Sequence, residues 1–412
     1  MMERAILLLD MQSFYAMVEK RDRPELWHHP VVVAGDPEIR TGVILAACPE
    51  AKRWGVKTAE TLRDAETKCP NLTVIRPRMQ HYIDTAVEIT SIMQQFTDLV
   101  EPYSIDETFA DITHLTRGVH LPETIARRMQ ARIETATAVP VRIGIASTKV
   151  LAKMACDHFA KPDPIGIFHL YDEEVSRQLW PLPIGDMFGV GKRMNHHLRR
   201  IGIRTIGQLA NYPLEELTRR WGINGEVLWR TAWGQDDAPV DPDTHVERKA
   251  IGHHMTLPRD YQTWEEIKVI IRELSEEVAA RTRSERCIGT VIHASLHGHD
   301  HEGLPAGFHR QLTLEEATAD GRTIADAALT LCARFWESTA VRSAGVTLSS
   351  LAPDDAKQLS LFHTFDEDRE ALNATTDKIC ERYGEGALFY AASLTRAGQA
   401  RLRSQKIGGH YK

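Results

Sequence analysis

The chain runs to 412 residues, 42% of them hydrophobic and 26% charged, a make-up that excludes a disordered or fibrous protein. Domains commonly span about 100–200 residues, so three or four modules are expected. A formal charge of −7 excludes capture of nucleic acid by the field of the whole chain, so such contacts have to come from local basic segments.

Residues 5–9 (AILLL) form an apolar run that stops at Asp10, the pattern of a strand buried on both faces with a carboxylate at its end. The run is too short for a signal peptide or a membrane span. Six cysteines (Cys48, Cys69, Cys156, Cys287, Cys332, Cys380) show no C-x-x-C spacing, which argues against a zinc ribbon or a disulfide framework. A cytoplasmic chain without membrane association is expected. Residues 101–112 (EPYSIDETFADI) read as two strand halves about Asp106 and Glu107, and residues 139–146 (VPVRIGIA) as a further strand. Between them Ile125, Met129 and Ile133 recur on one helical face. Strand, helix, hairpin, helix and strand predict an α+β layer of the split-βαβ, ferredoxin-like kind. Phosphoryl transfer from a nucleoside triphosphate needs cations, and hard Mg²⁺ takes oxygen ligands. Asp10, Asp106 and Glu107 are candidates for holding them, although an aspartate at a strand end also serves as a turn or helix cap.

From residue 172 to 233 the pattern turns helical. Residues 185–204 (GDMFGVGKRMNHHLRRIGIR) are similar to a helix-hairpin-helix, in which Gly189 and Gly191 allow a tight turn whose amides meet a DNA phosphate. Lys192, Arg193, Arg199, Arg200 and Arg204 concentrate positive charge there, and a solvated helix face is the alternative reading. Residues 234–247 (GQDDAPVDPDTHVE) are acidic and nearly devoid of apolar side chains, as expected of a linker. Strand-like segments at 249–257, 287–297 and 341–351, with helix-like segments at 264–283 and 322–336, predict a second α+β domain. The cluster His297, His299, Asp300 and His301 is flanked by glycines and reads as a polar hairpin tip, not a metal site.

Several motifs occur in order: Asp10-Met11-Gln12-Ser13-Phe14-Tyr15 with Val18-Glu19, then Tyr103-Ser104-Ile105-Asp106-Glu107, then Lys149-Val150-Leu151-Ala152-Lys153 and Ala160-Lys161-Pro162. Together they closely resemble the Y-family DNA polymerases of the DinB/UmuC type. The final residues 406–412 resemble the UvrX-like branch. The resemblance implies a right-hand fold: a ferredoxin-like palm (1–21 and 81–171), small fingers (22–80), and a helical thumb (172–233). After the linker (234–247) it implies an α+β little finger (248–352) and a tail (353–412).

It also implies that Asp10, Asp106 and Glu107 are the catalytic carboxylates, with the Met11 carbonyl as a further ligand, holding two Mg²⁺ ions. Lys161 would contact the triphosphate. Tyr15 would be the steric gate against a 2′-hydroxyl, with Phe14 beside it; a core aromatic is the other reading of either ring. The fingers depart from the family pattern, since Pro49 and Lys52 stand where many members place a tyrosine and an arginine. Lysine keeps the charge but loses the planar fork, so Arg53 is a candidate substitute. Gln358, Leu359, Leu361 and Phe362 look like the peptide with which bacterial polymerases dock on the sliding clamp. The expected function is template-directed, error-prone translesion DNA synthesis in a DNA-damage response by a two-metal mechanism. Primer-template DNA, a dNTP and the clamp are the partners, and the enzyme is a monomer. A catalytically silent DNA- and clamp-binding scaffold is the alternative, against which three intact acids argue. A nucleotidyl cyclase is disfavoured by the helix-hairpin-helix and the clamp peptide.

Overall fold

The computed structural model describes residues 4–35, 42–116, 121–244, 248–300, 302–355, 367–407 and 410–411. They fall into two compact units, Met1–His245 and Val246–Lys412.

The first unit begins with β1 (Ile6–Met11), α1 (Phe14–Arg21), β2 (Val31–Ala34), β3 (Ile44–Ala47), α2 (Pro49–Arg53), α3 (Leu62–Lys68) and β4 (Thr73–Ile75). It continues with α4 (Met79–Gln94), β5 (Val100–Pro102), β6 (Glu107–Asp111), α5 (Pro122–Thr137), β7 (Val141–Ala146), α6 (Lys149–Ala155), a π-helical turn (Cys156–Ala160) and β8 (Ile167–His169). The short helices α7 (Val175–Gln178), α8 (Lys192–Arg200), α9 (Ile206–Ala210), α10 (Leu214–Trp221) and α11 (Ile223–Ala232) follow.

One five-stranded sheet has the order β5-β6-β1-β7-β8. Its centre, β1, is buried at every position, as an unbroken apolar run requires. Ile6 and Leu8 pack with Leu151, Ala152 and Ala155 of α6, and the two-residue period of a strand turns Asp10 to that same face. Buried Ile125, Met129 and Ile133 form the inner stripe of α5. A second sheet, β3-β2-β4, carries α2. The helices after β8 enclose Leu198, Ile206, Leu209, Leu217 and Leu228. Residues 234–244 stay with this unit: Val240 is buried, Lys149 Nζ donates to the Pro239 carbonyl at 3.1 Å, and the Asp241 N–H donates to Glu101 at 2.9 Å.

The second unit comprises β9 (Ala250–Tyr261), α12 (Trp264–Ser284), β10 (Cys287–His299), β11 (Pro305–Thr318), α13 (Gly321–Phe335) and β12 (Ala340–Pro353). All pairs in its sheet, ordered β11-β10-β12-β9, are antiparallel. Ile270 and Leu274 of α12 and Ile324 and Leu331 of α13 cover Ile292, Ala294 and Leu296 of β10. Strand β11 carries no sequence signal of its own, because only Phe308 along its length is buried and the rest is largely polar. At the hairpin tip Asp300 accepts the N–H groups of Glu302 and Leu304; His301 lies outside the described residues.

The chain then forms α14 (Glu367–Tyr383), α15 (Ala400–Arg403) and the short pair β13 (Lys406–Ile407) and β14 (His410–Tyr411). This extension returns to α12, where Arg403 bridges Glu273 and Glu277 at 2.9 Å each, and to the end of β9, where the Tyr261 hydroxyl donates to the Ala397 carbonyl at 2.5 Å. The clamp peptide with Gln358, Leu359, Leu361 and Phe362 lies outside the described residues.

Candidate active site

The register of the central sheet assembles the site. Asp10 and Glu107 are direct partners across β1 and β6, so their side chains share one face. The third acid is Asp157, in the π-helical turn; carboxylate oxygens of Asp10, Glu107 and Asp157 all lie within 4.8 Å of one another. Among the described residues this is the one place where three or more such side chains bring ligand atoms so close together, and its oxygen-only donors suit a hard divalent cation.

Two ammonium groups balance the acids. Lys161 Nζ is 2.6 Å from Asp10 and 2.6 Å from Asp157, while Lys153 Nζ is 2.6 Å from Glu107 and 3.2 Å from Asp157. The π-helical turn brings this about: the Lys161 N–H reaches back to the Cys156 carbonyl at 3.0 Å, and the wider turn sets Asp157 and Lys161 on one side. Burial raises the Glu107 carboxyl above its ordinary range, helped by the charges of Asp10 and Asp157 and opposed by Lys153. Burial works against the Lys161 charge, but Asp10 and Asp157 overcome it and hold the lysine protonated.

The Asp106 carboxylate takes a different course. Its Oδ1 accepts from the Ser104 hydroxyl at 2.7 Å, while its backbone carbonyl accepts the Met11 N–H at 2.9 Å. Met11 closes β1 opposite Val141 with a buried side chain. The loop from β1 to α1 places Ser13 in the left-handed region, φ 53°, and its hydroxyl accepts from Lys52 Nζ at 2.8 Å. Withdrawal from water and the charge of Lys161 lower the Lys52 pKa, against the pull of Asp10. Arg53 follows it on α2, exposed.

Phe14 is 2% exposed and belongs to the core, whereas the Tyr15 ring is only partly buried. Burial, and then the charge of Asp106, raise the Tyr15 phenol pKa. Farther off, Gly189 (φ 84°) and Gly191 form the turn into α8, with open space at both glycines and with Lys192 and Arg193 exposed in its first turn. Sequence reasoning passed over Asp157 and Lys153 as site groups. Their signal was the spacing of Lys153, Asp157 and Lys161, four residues apart, which the π-helical turn converts into one cluster.

Three family models match the chain: the impB/mucB/samB family over residues 9–157, the C-terminal domain of that family over 248–361, and the DNA polymerase-iota thumb domain over 185–236. The chain belongs to this family, the Y family of translesion DNA polymerases, and is a DNA-directed DNA polymerase. It is 51% identical to DNA polymerase IV 2 of Bacillus subtilis (strain 168), with 100% of both chains covered. It is 35% identical to UvrX of the same organism, covering 98% of this chain and 97% of that one. A solved Y-family DNA polymerase chimera of Dbh and Dpo4 shares the fold, with a TM-score of 0.72 at 23% identity, over 85% of this chain and 99% of that one. Among the described residues no helix is long and apolar enough to cross a membrane.

Proposed function

We propose that this polymerase extends a DNA primer opposite damaged template bases without proofreading, and that Asp10, Asp106, Glu107 and the Met11 carbonyl hold two Mg²⁺ ions for the reaction. The observation that carries the reading is the pairing of Asp10 with Glu107 across two central strands, with an ammonium group resting on each carboxylate. Asp10, Glu107 and Asp157 repel one another unless cations join them; Lys153 and Lys161 do so here, and Mg²⁺ beside Asp10 and Glu107 would share that role. Bound Mg²⁺ would activate the primer hydroxyl and neutralise charge on the leaving diphosphate.

The other roles follow from position. Lys161 and Lys52 bring positive charge toward Asp10, where triphosphate oxygens can take the place of the carboxylates on Lys161 and of the Ser13 hydroxyl on Lys52. Lys52 does so without the fork of an arginine, and Pro49 donates no hydrogen bond, so Arg53 is the further candidate in the fingers. Tyr15 closes the sugar end and leaves no room for a 2′-hydroxyl; buried Phe14 supports it. Gly189, Gly191, Lys192 and Arg193 hold a phosphate of the primer-template.

The same reading makes the enzyme a cytoplasmic monomer, docked on the sliding clamp through Gln358, Leu359, Leu361 and Phe362. It keeps the palm at 1–21 and 81–171, the fingers at 22–80, the thumb at 172–233 and the little finger at 248–352. The scaffold alternative is disfavoured, because the acids are retained and the chain matches a DNA polymerase IV end to end.

Extension of a labelled primer, with and without Mg²⁺, tests the assignment. The parent should extend only with the cation and Glu107→Gln should fail. Extension by Glu107→Gln within about tenfold of the parent would overturn it.

A further inference from the structure

We infer that Tyr82 is a positioning residue behind Tyr15, so that discrimination against ribonucleotides is set by two tyrosines on neighbouring helices and not by Tyr15 alone. The inference rests on the reading of Tyr15 as the sugar gate.

A gate that works by clash has to resist displacement, because a ring free to swing aside admits the larger sugar. Tyr15 sits in the first turn of α1 and is only partly buried, so its own surroundings fix it less than those of a core ring would. The resistance comes from α4. The Tyr82 ring, 0% exposed, lies 4.7 Å from the Tyr15 ring, centroid to centroid, at an interplanar angle of 41°. It also meets Phe14 edge-on at 6.5 Å, so it is wedged against both aromatic side chains at the start of α1.

Tyr82 is fixed in turn at its far end. Its hydroxyl donates to Glu19 Oε1 at 2.6 Å. Glu19, 0% exposed, also accepts from Arg78 Nε at 3.0 Å, from Arg78 Nη2 at 2.8 Å and from Arg23. A buried carboxylate with four donors aimed at it admits one arrangement of its partners. Helical spacing makes the device. Tyr15 and Glu19 lie four residues apart on one face of α1, and Arg78 and Tyr82 four apart at the start of α4. The same two rows therefore meet twice, ring on ring and carboxylate on guanidinium and phenol.

The test compares kcat/KM for a ribonucleotide and the matching deoxynucleotide in the full-length parent, Tyr15→Ala, Tyr82→Leu, Tyr82→Phe and the double variant Tyr15→Ala/Tyr82→Leu. A defect that only lowers the folded fraction reduces both constants together and leaves their ratio alone. Tyr82→Leu should raise the ribonucleotide to deoxynucleotide ratio about tenfold, and Tyr82→Phe, which keeps the ring and folds with the same volume, about threefold. Tyr82→Leu should not add to the ratio once Tyr15 is alanine. Unchanged ratios in both Tyr82 variants, beside a raised ratio in Tyr15→Ala, would overturn the inference and leave the gate standing. So would an equal rise in the presence and absence of Tyr15. An unchanged ratio in Tyr15→Ala would instead refute the gate itself, and Tyr82 with it.

Discussion

Asp10 and Glu107 face each other across β1 and β6, and each carboxylate has a lysine ammonium 2.6 Å away, Lys161 on one and Lys153 on the other. Asp157 joins the two lysines from the far side. The centre is thus a continuous chain of four ion pairs joining three acids and two bases, so opening any one of them changes the electrostatics of all five groups.

Asp106 stands next to these ion pairs, with its carboxylate on Ser104. If it is a cation ligand in the working complex, Asp106→Ala should reduce primer extension by at least about a thousandfold, ~4 kcal/mol of transition-state stabilisation, and leave DNA affinity nearly unchanged. Single-turnover extension together with a DNA-binding titration reads both. Extension close to that of the parent would remove Asp106 from the metal set.

Asp157→Asn keeps the shape and removes the charge that Lys153 and Lys161 share. Lys161 would then be held by Asp10 alone, with a less defined position. The KM for the incoming nucleotide should rise about tenfold, ~1.4 kcal/mol, with a smaller change in kcat. Equal losses in kcat and kcat/KM would instead make Asp157 a group that acts in the chemical step.

Deleting residues 358–362 should abolish stimulation by the sliding clamp while distributive synthesis continues at the parent rate. Primer extension with and without loaded clamp measures this, and stimulation that survives the deletion would refute a docking role.

The surface end of the Glu19 network gives a pH prediction. Burial alone would raise the Asp22 carboxyl, but Arg78, Arg21 and His81 prevail and bring it down to about 2 from 3.8. A carboxylate depressed on folding contributes its stability fully above the unfolded value and loses it as pH falls through the folded one. The stability gap between parent and Asp22→Asn should therefore be present near about pH 5 and disappear between about pH 4 and pH 2. Asp22 is partly exposed, so added salt should narrow the gap. Urea midpoints across that range check it, and a gap independent of pH would mean packing and not charge.

The strand that carries Asp10, the hairpin at Asp106 and Glu107, the stripe of α5 and the basic turn at Gly189 were all legible in the sequence, because each is a local pattern of apolar period, glycine or charge. So was the family, because its motifs are contiguous. What the sequence by itself could not determine was pairing. Nothing in the spacing of Tyr15, Glu19, Arg78 and Tyr82 says that two helices about 60 residues apart will join them around a buried carboxylate. Strand β11 escaped notice because its polar sequence is held by a ladder to β10 and not by burial of its own side chains. Residues 353–412 read as a tail because they follow the last strand of the little-finger pattern; within them Arg403 forms ion pairs with Glu273 and Glu277 of α12, which no periodicity announces. Local chemistry therefore fixed which residues could act. The register of β1 against β6, and the π-helical turn that swings Asp157 and Lys161 toward it, decided which of them meet, because hydrogen-bonded neighbours in space are chosen by the whole sheet and its packing.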